Sequence, residues 1–252
     1  IVVGNGAAEL IEKVTEFLDG SFGIYKPTFE EYPARFSNID CRVPKSEGFV
    51  YGKDEVIKLA EDNNGVILIN PDNPSGNFIP YKDLIIILKH LKKSGKHLIV
   101  DESFLDFAEG GFDSSLLNVQ DLEKYPNLIV IKSIGKSYGV GGLRLGVLAS
   151  SNTKLVKKLK QSIPIWNINS VAEFYMQIIG KYMTEYKESC EKLINARDQL
   201  TKNLKKIPYL VPYESQANYI LCKVIDKDAG QLASDLCNKY SILIKDCSGK
   251  TS

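Results

Sequence analysis

The sequence predicts an α/β fold, with a large domain built on a mainly parallel sheet flanked by helices and a smaller α+β domain after it. Three observations carry this prediction. Short β-branched runs recur along the first two thirds of the chain, amphipathic helical patterns lie between or beside them, and the texture changes after Pro164. The runs Val66–Ile69, Leu98–Val100, Leu128–Ile131 and Leu145–Leu148 are too short for ordinary helices and are apolar throughout, as strands buried on both faces are. Ala7–Leu18 sets Leu10, Ile11, Val14, Phe17 and Leu18 on one helical face. Tyr81–Lys93 does the same with Leu84, Ile87, Leu88 and Leu91, and Thr153–Gln161 with Leu155, Val156 and Leu159. Strands alternating with helices make a parallel sheet.

Beyond Pro164, Ser170–Tyr182 reads as a buried helix. Thr184–Lys206 reads as one long helix with a core-facing stripe of Tyr186, Cys190, Leu193, Arg197, Leu200 and Leu204, ended by Pro208. Strands are expected at Tyr209–Val211, Tyr219–Cys222 and Ile242–Lys245, with a helix near Asp228–Lys239. The expected division is 1–183 for the large domain and 184–252 for the small one.

Composition narrows the function classes. With 44% hydrophobic and 25% charged residues in 252, the chain has an ordinary globular make-up. A formal net charge of +1 gives no field that would draw nucleic acid or an anionic membrane, and no apolar run is long enough to span a bilayer. The five cysteines are odd in number, scattered and without a CxxC pair, which suggests a reducing, cytoplasmic setting. Two histidines in the whole chain give a zinc site no support, and no metal is expected. The chain opens at Ile1 inside a strand-like run and stops at Ser252 soon after another, so it is expected to be part of a longer protein, with both domains incomplete.

The chemistry follows from position. Asn73 follows the Val66–Ile69 strand, Asp101 ends the next, and Lys136 follows the Leu128–Ile131 strand. Open parallel sheets bind ligands beyond the carboxyl ends of their strands, so these three converge on one rim. A lysine amine bonds covalently to a carbonyl cofactor, a carboxylate keeps an aromatic nitrogen protonated, and an asparagine amide donates to a phenolate oxygen. A protonated pyridine is the electron sink of pyridoxal 5′-phosphate (PLP). For its phosphate, Ser133 and Arg144 flank Lys136, and Gly4-Asn5-Gly6-Ala7-Ala8-Glu9 offers backbone N–H groups at a helix start. Two other motifs fail: Gly135-Lys136-Ser137 has Val130 where a P-loop needs glycine, and Gly4-x-Gly6 meets Glu9 where a dinucleotide fingerprint needs its third glycine.

Asn70-Pro71-Asp72-Asn73-Pro74-Ser75-Gly76, Asp101-Glu102-Ser103-Phe104, Ser133-Ile134-Gly135-Lys136 and Gly142-Leu143-Arg144-Leu145-Gly146 resemble, in order, the motif set of class I/II PLP-dependent aminotransferases. Gly4–Leu10, Pro27–Tyr32 and Gln216–Tyr219 resemble the branch of histidinol-phosphate aminotransferase and threonine-phosphate decarboxylase. The resemblance runs through nearly the whole chain and implies the PLP-dependent transferase fold. It makes Lys136 the Schiff-base lysine and general base, and Asp101 the partner of the pyridine nitrogen. Asn73 becomes the donor to the ring hydroxyl, and Phe29 the ring stacked on the cofactor. Ser133, Arg144 and the amides of Gly6, Ala7 and Ala8 become the phosphate cup. It also implies a homodimer, a substrate-carboxylate arginine near the C-terminus, and a tyrosine lent by the other subunit. Two positions depart from the pattern: Phe104 stands where many relatives have tyrosine, and Gly135 where a second hydroxyl residue often precedes the lysine.

Transfer of an amino group from an amino acid or amino-phosphate donor to a 2-oxo acid is the leading expectation. Decarboxylation of a phosphorylated amino acid is the alternative that Phe104 and Phe29 motivate. A non-catalytic domain that keeps the fold is a third.

Overall fold

A computed structural model of the chain describes residues 1–251. Its centre is a seven-stranded sheet. The chain runs β1 (Val2–Asn5), α1 (Ala7–Thr15), β2 (Phe22–Tyr25), α2 (Glu31–Arg35), β3 (Ile39–Arg42), α3 (Lys53–Glu61), β4 (Gly65–Ile69), α4 (Tyr81–Lys93) and β5 (His97–Asp101). It continues through α5 (Val119–Lys124), β6 (Leu128–Ser133), the single turn α6 (Ile134–Ser137), β7 (Leu145–Ala149), α7 (Thr153–Ser162) and α8 (Ser170–Ile178). The spatial order is β1-β7-β6-β5-β4-β2-β3. Strands β2 to β6 are parallel; β7 pairs antiparallel with both β6 and β1, so it alone runs against the rest.

Alternation along the strands builds two cores. Val66, Leu68, Leu98, Val100, Leu128 and Val130 face one side, packed with Leu59 of α3 and Leu84, Leu88 and Leu91 of α4. Ile67, Ile69, Ile99, Ile129 and Ile131 face the other, packed with Leu10, Ile11 and Val14 of α1 and Leu155 and Leu159 of α7. Both faces are covered, which is why the runs are apolar without interruption. Several helices start on a side-chain cap: Asn118 accepts from Asp121 N (2.9 Å), Asn152 from Leu155 N (3.1 Å) and Asn169 from Ala172 N (2.9 Å). Helix α1 has no side-chain cap.

The long helix α9 (Met183–Leu204) follows, then the antiparallel pair β8 (Leu210–Pro212) and β9 (Cys222–Val224), and α10 (Ala229–Tyr240). The stripe on α9 is only partly a core stripe: Cys190 and Arg197 are buried, while Leu200 is exposed.

Several expectations are corrected. The strand expected at Tyr219–Cys222 begins only at Cys222, because Tyr219 is drawn into a contact with Phe104 instead. Ile242–Lys245 is exposed and joins no strand among the described residues, so its apolar pattern finds no ladder. Helix α8 is apolar but not buried: Val171 is 62% and Phe174 58% exposed, and of its residues only Ala172 is buried. Periodicity reports an apolar face, not what covers it. Helix α1 stops at Thr15, so Phe17 and Leu18 pack on the core from the turn beyond it. The strands β2 and β3 and the helix α3 were not anticipated. β2 and β3 are four residues each, and β3 reads Ile-Asp-Cys-Arg, a polar edge with no apolar run to betray it.

Candidate functional site

The direction of β7 decides what meets at the rim. The carboxyl ends of β1, β2, β4, β5 and β6 point one way, and lead into Gly6–Ala8, Phe29, Asn73, Asp101 and Ser133–Lys136 respectively. Because β7 is reversed, its first residue lies at that same rim, and Arg144, immediately before it, joins the group. Ala7, Ala8, Phe29, Asn73, Asp101, Ser133, Lys136 and Arg144 all line one cleft of about 140 Å³. Gly6, the remaining residue expected there, lies directly behind Arg144: a Cβ on it would sit 2.6 Å from Arg144 Nη2. Ile69, Ser103 and Phe104 complete the walls.

Asp101 forms the floor. It is 3% exposed, and burial pushes its carboxyl up from the ordinary value; hydrogen bonds from Ser103 and Tyr32, and the charge of Lys136, oppose that rise. Its Oδ1 accepts from the Ser103 amide (2.9 Å) and hydroxyl (2.5 Å), and its Oδ2 from Tyr32 Oη (2.9 Å). Tyr32 is fully buried, and burial together with the neighbouring Asp101 pushes its phenol well above the ordinary range, so it remains a donor. Tyr32 and Ser103 were not singled out as site residues. The available signal was that Tyr32 follows Phe29 by one helical turn, and their rings meet edge to face at 6.4 Å.

The opposite end of the cleft suits an anion. Gly6 adopts φ +88°, and α1 begins there with Ala7 and Ala8 lining the cleft and no side-chain hydrogen bond capping its start. Gly146 of β7 lets this turn come close, since a Cβ there would lie 2.4 Å from Ala7 N. Arg144 is left-handed at φ +54°, a conformation that costs a non-glycine residue about 1–2 kcal/mol and persists where the surroundings impose it. Lys136 and Arg144 are both exposed at the mouth.

The Asn73 turn is held from below. Asp72 is 1% exposed; its carboxyl accepts from Ser75 Oγ (2.8 Å) and Thr28 Oγ1 (3.5 Å), and burial pushes it up to about 7. Its carbonyl accepts from Tyr219 Oη at 2.9 Å, and the Tyr219 ring meets Phe104 edge-on at 5.0 Å. Gly135 has a steric reason to lack a side chain, because its Cβ would lie 3.0 Å from Gly141 Cα. Behind the rim, Lys132 and Asp106 form a buried ion pair, and Tyr186 of α9 donates to the same carboxylate at 2.7 Å.

Comparison with known proteins agrees with this architecture. Residues 1–251 match the family model described as aminotransferase class I and II. The chain is 32% identical over 249 residues to the histidinol-phosphate aminotransferase of Clostridium novyi, covering 94% of this chain and 65% of that one. Among solved structures it is similar to the histidinol-phosphate aminotransferase of Clostridium acetobutylicum, with a TM-score of 0.87 and 28% identity over 98% of this chain and 74% of that one. It is equally similar to a decarboxylase of Sulfurospirillum multivorans, with a TM-score of 0.87 and 26% identity over 98% and 73%. The chain spans between 40% and 71% of the length of the curated relatives compared with it. With a reversed β7 beside a parallel sheet, one cleft at its rim and a match along nearly its whole length, the chain belongs to the class I and II aminotransferases, a family whose cofactor is pyridoxal 5′-phosphate.

Proposed function

We propose that this chain forms the cofactor-binding part of an aminotransferase that moves an amino group from an amino acid or amino-phosphate donor to a 2-oxo acid. The carrying observation is that an amine, a buried carboxylate and a guanidinium share one cleft as Lys136, Asp101 and Arg144. The fit to the cofactor is supported by shape as well as charge. The missing side chains of Gly6 and Gly146 let the Arg144 guanidinium and the Ala7 backbone close in at one end of the cleft, and the Asp101 carboxylate is buried at its floor, where it would face a ring nitrogen as a counter-charge. When bound, PLP supplies an aldehyde that takes the substrate's amine covalently and a ring that withdraws electrons from its Cα.

This chain's residues do the rest. Arg144, Ser133 and the amides at Gly6, Ala7 and Ala8 would hold the phosphate; Asp101 would hold a proton on the ring nitrogen. Asn73 would donate to the ring oxygen, and Phe29 would pack against the ring face. Lys136 Nζ would hold the cofactor covalently and, once freed, would carry the proton to and from substrate Cα. Purified protein supplied with PLP is expected to absorb visible light and to be trapped covalently by borohydride, and Lys136→Ala to lose the trapped product. A colourless protein that cannot be reconstituted would refute the reading.

A second reading, loss of the carboxylate from a phosphorylated amino acid, is favoured by Phe104 in the wall and by the likeness to the Sulfurospirillum decarboxylase. Carbon dioxide release without any 2-oxo acid requirement separates the two. We further assign the protein to the cytoplasm, with 1–183 and 184–252 as its large and small domains. We also propose a homodimer: Ile165, Trp166, Val171 and Phe174 form an exposed apolar stretch that a second copy would cover. Among the described residues no helix is long and apolar enough to cross a membrane.

A further inference from the structure

Ser103 stands between the two groups on which the proposed chemistry rests. Its amide and hydroxyl both donate to Asp101 Oδ1, at 2.9 and 2.5 Å. The same hydroxyl oxygen accepts the Ser133 amide at 2.9 Å, at the start of the turn α6 that carries Lys136. At the far end of that turn, Ser137 Oγ donates to the Ser103 carbonyl at 3.0 Å. Ser103 and Ser137 are both buried, with Ser103 itself in the cleft wall. One residue of the segment after β5 thus grips both ends of a four-residue helical turn after β6 and the carboxylate at the end of β5.

We infer that Ser103 is a positioning residue that locks the Lys136 turn to Asp101, so that the amine and the carboxylate are presented to one cofactor as a rigid pair. The inference rests on the cofactor reading above. The hydroxyl acts as a relay: the Ser133 N–H polarises it, and it in turn donates more strongly to Asp101. A charge-assisted donor of this kind keeps a buried carboxylate ionised against the burial that opposes it. Removing it returns part of the proton from a ring nitrogen to the carboxyl, and also leaves the Ser133 amide without its partner. The backbone pairing between β5 and β6 alone would fix strand register but not the orientation of α6, because that ladder ends at Ile131, two residues before Ser133.

The test uses the full protein loaded with PLP labelled with 15N in its ring, and two spectroscopic readings. The 15N resonance reports the proton shared with Asp101; the pH midpoint of the visible band reports Lys136. Ser103→Ala is expected to shift the shared proton toward the carboxyl by on the order of tenfold and to move the Lys136 midpoint as well, by about threefold in proton affinity. Tyr32→Phe, which removes only the Oδ2 donor, is expected to change the 15N signal alone. Ser137→Ala, which frees only the far end of the turn, is expected to change the Lys136 midpoint alone. Ser103→Cys, a weaker donor, gives an intermediate effect on both. If Ser103→Ala and Ser103→Cys leave either reading at its wild-type value, the inference is overturned. Wild-type protein that never shows the visible band would instead overturn the cofactor reading.

Discussion

Gly6 shows how closely the anion corner is drawn. It combines a positive φ with a missing side chain whose place is held by Arg144. Gly6→Ala therefore imposes backbone strain of about 1–3 kcal/mol, since φ +88° with ψ 162° is open essentially to glycine alone, and displaces the guanidinium. PLP affinity is expected to fall at least about tenfold by fluorescence or absorbance titration, with the circular dichroism of the apoprotein unchanged. At this scale much of the candidate site was legible, because Asn73, Asp101, Ser133, Lys136 and Arg144 sit just beyond apolar runs and their place on a strand can be counted. Ser103 and Tyr32 escaped notice. A hydroxyl within two residues of an aspartate has no meaning until the next strand is laid alongside, and Tyr32 reaches Asp101 only because the short helix α2, distant in sequence, packs against the sheet.

Individual elements carry buried charges that periodicity does not reveal. Glu102, immediately after β5, is fully buried and accepts from Ser115 Oγ (2.5 Å) and the Leu116 amide (2.7 Å), pinning the long segment between β5 and α5. Burial pushes its carboxyl up to about 7 from an ordinary 4.5. A group raised in the folded state stabilises fully below its unfolded value and loses that stabilisation as pH climbs through the folded one. Glu102 thus makes the protein less stable between about pH 4.5 and 7 as pH rises. Glu102→Gln is expected to flatten that slope and raise the melting temperature relative to wild type near pH 8, as read by calorimetry at several pH values. Lys132, inside a strand otherwise apolar through Ile131, was just as invisible, since its partner Asp106 lies on another segment and Tyr186 on another helix. Lys132→Met leaves Asp106 buried without its cation and is expected to cost about 3–5 kcal/mol in denaturant unfolding, more than Lys132→Met combined with Asp106→Leu.

For the molecule as a whole, the layered α/β architecture could be foreseen because alternating strands and helices permit few arrangements. The surroundings of α8 and of Ile242–Lys245 could not. An apolar face is written in the chain, but its cover comes from whatever lies beyond it. If a second copy supplies that cover for α8, sedimentation is expected to show a dimer that Trp166→Glu with Phe174→Glu converts toward monomer. Trp166 is 95% exposed, so the monomer fold itself has little stake in it.

The reversed strand β7 has one more effect. Since β6 and β7 are antiparallel neighbours, Lys136 and Arg144 hang on a single connecting loop, in which Gly139 and Gly142 have no neighbours a side chain would touch. The anchor for the aldehyde and the anchor for the phosphate are therefore one mechanical part. A protease nick at Gly139–Gly142 is expected to free both ends of the ligand at once, and a tightly held ligand to shield that tip from cutting.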